Sequence, residues 1–139
     1  MLQRTDMFMP AKVLGVTKKQ RTALVAVLGI LERGEIEHSG PVKFNSWNLP
    51  VIDKGPGKYF NMQFWKEMGI WKKNYRECNT IFCIGGLAED IAGVKFNKRL
   101  HDLFYPDFYL QTITVKQAAQ ALRNYLTHGN AGWAGILGF

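Results

Sequence analysis

The sequence predicts a mainly α protein, a compact single domain of four to five helices with at most a small two-stranded sheet. Three observations predict it. Two stretches open with the same capping word, T-x-K-Q, at Thr17–Gln20 and Thr114–Gln117, and each runs into apolar residues and closes on a glycine. The run from Ala23 to Leu31 is apolar nearly all round, as a centrally buried helix is. At 139 residues the chain fits one domain, 1–139, with an N-terminal arm over 1–16 and a long loop over 40–59.

Each element has a local reason. Thr17 can accept a hydrogen bond from the N–H three residues on while Gln20 reaches back, a capping box that starts a helix over Lys18–Arg33. Gly34 closes it. Pro41, Pro50 and the K-G-P-G word at 54–57 break up the long loop, within which Val42 and Phe44 alternate briefly as one short strand would, with Trp47 as a candidate extension. Asn61 can cap a helix through M-Q-F-W-K-E-M-G, and Asn79 or Thr80 can cap another over Thr80–Ala92, ended by Gly93. Leu100, Leu103 and Phe104 share one face of a short helix stopped by Pro106. Thr114 and Gln117 repeat the box. Val115, Ala118, Ala119, Leu122, Tyr125 and Leu126 then form an apolar stripe, closed at His128-Gly129. The tail is apolar, and Trp133, Ile136, Leu137 and Phe139 are expected to fold back on the core.

Composition bounds function. No run approaches the roughly 20 apolar residues of a membrane span, so no membrane partner is expected. Asp6 interrupts the apolar part of the N-terminus and no small-residue cleavage site follows it, so the expected location is cytoplasmic. Two cysteines are too few for a disulfide scaffold. The net charge of +7 suits acidic partners or nucleic acid.

Both cysteines lie in C-N-T-I-F-C-I-G-G at 78–86. On one helix, a spacing of five puts them about 140° apart, which suits neither a shared metal ion nor a disulfide. His38, His101 and His128 stand at no zinc-ligand spacing, and no phosphate loop is present, so neither metal nor cofactor is expected. Cys83, among Ile81, Phe82, Ile84 and Leu87, reads as core. Cys78 before a helix N-terminus is the candidate nucleophile, with His101 together with Asp102, or His128, as the candidate base. Gly85 and Gly86 inside a helix imply close approach by another element, with the central helix as candidate. Glu89 and Asp90 read as a solvated edge.

Two basic clusters are candidate anion or nucleic-acid contacts. One is Lys18, Lys19 and Arg21 in a first helical turn. The other is Lys72, Lys73 and Arg76, interleaved with Trp71 and Tyr75 as stacking surfaces. Lys95, Lys98 and Arg99 form a third group.

The order of words Cys78–Ala88, then L-F-Y-P at 103–106, then I-T-V-K-Q-A-A-Q-A-L over 113–122, resembles a family of small uncharacterised bacterial and phage proteins. That family's pattern is C-G-T-x-x-C-I-A-G-x-A, then L-F-Y-P and a closing T-x-x-Q-A-A-x-A-L helix. Here Asn79 stands for the usual Gly, Gly85 for Ala and Leu87 for a frequent aromatic. The resemblance implies a shared fold and carries no activity and no catalytic residue. The sequence thus favours a non-catalytic protein-interaction module, able to bind a protein partner or a second copy of itself. Its candidate surfaces are the long loop and the apolar tail. A nucleic-acid binder and a thiol enzyme centred on Cys78 are the alternatives.

Overall fold

The computed structural model describes residues 8–96, 101–104, 106 and 110–138. The chain opens with α1 (Ala11–Leu14) and α2 (Lys18–Glu32). Six strands follow: β1 (Glu37–His38), β2 (Lys43–Phe44), β3 (Pro50–Ile52), β4 (Gly57–Phe60), β5 (Lys66–Trp71) and β6 (Asn74–Phe82). Then come α3 (Ile84–Ala92), α4 (His101–Phe104), a 3-10 turn at Leu110–Thr112, α5 (Val115–His128) and α6 (Trp133–Leu137). The strands form one mixed sheet in the order β1-β4-β6-β5-β3-β2, curled into a half-barrel. β1, β4 and β6 run parallel, as do β3 and β5, while β5–β6 and β2–β3 are antiparallel hairpins.

The sheet overturns the expectation of a mainly helical chain with at most two strands. Asn61 does cap locally, since its Oδ1 accepts the Gln63 N–H, 3.0 Å away. The chain then turns into β5 and not into a helix, because Asx turns and helix N-caps begin with the same bond. The helix expected from Thr80 starts four residues later at Ile84. Thr80, Ile81 and Phe82 belong to β6, where β-branched and aromatic side chains pack against neighbouring strands. Both predicted capping boxes are present, at Thr17–Gln20 and Thr114–Gln117.

Alternation along the strands divides the core in two. Phe60 and Phe82 face the helices and join Leu24, Val27, Leu28, Ile84, Leu122 and Leu126 in the main core. Their neighbours Tyr59 and Ile81 face the other way and pack with Val42, Ile52 and Phe64 in a smaller cluster. The tail folds as expected where it is described: Trp133, Ile136 and Leu137 pack against the main core, and Phe139 lies outside the described residues. Lys98, Arg99 and Leu100 also lie outside them. Among the described residues no helix is long and apolar enough to cross a membrane.

Candidate functional site

The C-terminal ends of the three parallel strands bring Ser39, Asn61 and Cys83 side by side. Ser39 N–H donates to the Phe60 carbonyl at 2.9 Å and Asn61 N–H to the Phe82 carbonyl at 2.8 Å. Asn61 Nδ2 donates to Ser39 Oγ at 3.0 Å, and that hydroxyl donates to the Gly40 carbonyl at 2.8 Å. This buried polar row is satisfied from within, so it serves as a structural tie. Cys83 stands at the N-cap of α3 and is buried. Burial pushes its thiol up to about 11, although the N–H groups of Gly86 and Gly85 pull the other way. A thiol so placed stays protonated at neutral pH.

Cys78 is not at a helix start. It is exposed on β6 opposite Ile70, so no helix dipole acts on it. Both cysteines are free, and the extended chain between them holds them about 16 Å apart, far outside disulfide range. His101 and Asp102 sit on α4, and their side chains lie outside the described residues. Among the described residues no three His, Cys, Asp or Glu side chains converge as metal ligands.

The adjacent carboxylates of α3 are not a solvated edge. Glu89 accepts from Trp65 Nε1 at 2.8 Å and from the Phe96 N–H at 3.0 Å. Asp90 pairs with Lys58 at 2.7 Å and Lys66 at 3.2 Å, and the hydrogen bond from Lys58 leads in holding its carboxyl below the usual range.

The basic clusters lie on different elements. Lys18 and Lys19 are exposed at the start of α2, where the capping box already takes the Gln20 N–H. Arg21 Nε donates to the Met9 carbonyl at 2.8 Å, so its guanidinium pins the N-terminal arm. Lys12, Lys18, Arg21 and Thr22 line an open cleft of about 670 Å³ beside α1. The start of α2 leans on the stretch after α3, through Gln20 Nε2 and the Lys95 carbonyl. Lys72 and Lys73 form the two-residue link between β5 and β6, at the end of β6 remote from α3. Trp71 is half-buried over Gly55, whereas Tyr75 is 68% exposed.

The long loop hides a second feature. Residues 45–49 join β2 to β3 in a tight hairpin tip. Asn45 Oδ1 accepts from the N–H groups of both Trp47 and Leu49, each at 3.0 Å. Asn45 N–H donates to the Leu49 carbonyl and Asn48 N–H to the Asn45 carbonyl. Asn48 takes the left-handed conformation, φ 61°, that asparagine tolerates. The tip so fixed presents Trp47 at 76% exposure, with Phe44 at 49% and Leu49 at 41% beside it. The sequence placed Trp47 in a possible strand; the Asn-Ser-Trp-Asn word, rich in turn formers, was the signal for a hairpin tip. Compared with protein-family models, curated proteins and solved structures, the chain finds no match.

Proposed function

We propose that this protein is a non-catalytic interaction module that docks on another protein through the β2–β3 hairpin tip. The observation that carries the reading is Trp47, an exposed indole on a loop clamped by Asn45. Large aromatic side chains dominate binding energy at protein interfaces, and a loop already held in one shape loses little entropy on docking. Phe44 and Leu49 extend the apolar surface around it. A net charge of +7 sets copies of the chain against each other and favours a less basic partner. The family resemblance lends no residue role to this reading.

A photo-crosslinking amino acid at Ser46, in cells that express the protein, tests it. One discrete adduct is expected, lost with Trp47→Ala and weakened with Asn45→Ala, which keeps every apolar side chain but removes the oxygen that accepts from both Trp47 and Leu49. A probe at Lys116 on α5 should give no such adduct. Adducts equally abundant from both positions, or unchanged by Trp47→Ala, would remove the tip as the docking element. An adduct with a second copy would keep the tip and change the partner.

A further inference from the structure

The β5–β6 turn is built to expose charge and one aromatic ring together. Trp71 on β5 stands opposite Asn74 on β6, but its neighbour Ile70 stands opposite Cys78. Tyr75, Arg76 and Glu77 are therefore extra residues on β6, a three-residue irregular bulge, and bulges re-aim side chains out of a sheet. The turn is fixed at both sides. Lys72 N–H donates to the Ile52 carbonyl at 2.8 Å, and Asn74 Oδ1 accepts from Arg76 N–H at 3.1 Å. Trp71 anchors it over Gly55.

Among the described residues, charge pairing leaves this turn bare, as it does Lys43 on β2 and Lys18 and Lys19 on α2, and here three such cations gather around one exposed ring. Elsewhere on the sheet Lys54 pairs with Glu37, and Lys58 and Lys66 pair with Asp90. Among the described residues Lys72, Lys73 and Arg76 have no carboxylate within ion-pair distance, and all three are exposed. Glu77, half-buried in the same bulge, reaches none of them. Tyr75 stands among these cations at 68% exposure.

We propose that this turn binds single-stranded nucleic acid, with phosphates on Lys72, Lys73 and Arg76 and an unpaired base stacked on Tyr75. Three unpaired cations attract any polyanion; the exposed ring selects one that carries flat, apolar faces. A single ring on a turn can stack only on a base already free of its pair, so a duplex is the poorer ligand. The turn lies beside the end of β3, whereas the Trp47 tip precedes its start, so the two surfaces are separate. This inference does not rest on the docking reading, and Trp47→Ala leaves it intact.

Fluorescence anisotropy of the full chain with labelled oligothymidylate and oligouridylate of about twenty nucleotides tests it. Three phosphate contacts give a salt slope near −2 for single strands, so affinity should fall about 20-fold between about 50 and 200 mM salt. Tyr75→Ala should weaken binding about tenfold, with Tyr75→Phe close to wild type. Lys72→Glu/Lys73→Glu/Arg76→Glu should abolish binding. Lys12→Glu/Lys19→Glu/Lys116→Glu, with the same change in net charge, should keep the stacking effect of Tyr75 and most of the affinity. Absence of binding by the wild type would overturn the proposal, as would equal loss in the two triple variants. So would heparin binding as tightly as the oligonucleotides with Tyr75→Ala inert, which would assign the turn to acidic protein or polysaccharide.

Discussion

The backbone carbonyl of Trp65 occupies the space in which a side chain on Gly86 would begin. The Trp65 ring lies over Gly85 in the same way, and its Nε1 is tied to Glu89 one turn further along α3. The close approach expected at the two glycines is therefore real, but the approaching element is the segment leading into β5 and not the central helix. Contact with this carbonyl also explains where Cys83 N–H goes, since it donates to Trp65 O at 3.4 Å.

Gly86→Ala should destabilise the fold. Alanine gains about 1 kcal/mol of helix propensity over glycine. The clash is with backbone, which cannot rotate away, and overpacking of this kind costs roughly 1–3 kcal/mol, sometimes more. The expected net is a loss of about 2 kcal/mol in urea unfolding. Gly135→Ala is the control: Gly135 lies within α6 with nothing near its Cβ position, so the same substitution should be neutral or mildly stabilising. Equal effects at the two sites would mean that Trp65 does not hold α3.

The helices were legible where local chemistry decides them. Thr17, Gln20, Thr114 and Gln117 make their reciprocal bonds whatever packs around them. The sheet was not legible, because its pairings are distant in sequence: Glu37 finds Tyr59, and Gly57 finds Asn79. β1 to β4 are two to four residues long, too short to show a period, and the bulge at Tyr75–Glu77 interrupts the alternation of the longest strand. Of the candidate sites, the basic and aromatic word at 71–76 could be read because charge needs no tertiary contact to be seen. Whether Arg21 is free, or Trp47 exposed, depends on partners that only the fold brings up. Cys78 looked like a helix-start thiol only while Thr80 looked like a helix start.

His38 gives the fold a pH dependence of defined sign. Its Nδ1 accepts the Gly40 N–H at 2.9 Å, so the proton sits on Nε2. That atom is buried without a well-aligned partner, though the carbonyls of Gln111 and Ile113 face it. Burial holds the imidazole below its usual value of 6.5; the two carbonyls oppose this and the Lys54 ammonium reinforces it. The unfolded chain thus takes up its proton at a higher pH than the folded one. Stability is intact above about pH 6.5 and falls as pH drops from there through the folded-state value. Urea midpoints at about pH 7.5 and about pH 5.5 should show the decline. His38→Asn, whose Oδ1 can accept the Gly40 N–H, should flatten it. A wild type that gains stability on acidification would refute the assignment of Nδ1 as acceptor.

The two thiols should separate cleanly in reactivity. Cys78 is exposed on β6, and Cys83 is buried at the start of α3 with its thiol pushed up to about 11. At neutral pH a thiol of that kind is thiolate in about one molecule in ten thousand, and here it is also shielded by the main core. Iodoacetamide on the native protein should therefore add one label per chain, at Cys78, read by intact mass and peptide mapping. The second label should appear only as the chain unfolds in urea, at the rate and midpoint of the spectroscopic transition. Cys78→Ser should then leave the native protein unlabelled with its stability unchanged, because Cys78 supports no buried contact. Early labelling of Cys83 would mean that the N-terminus of α3 opens to solvent in the folded state, and would turn attention to Ser39 and Asn61 beside it as parts of a reactive site.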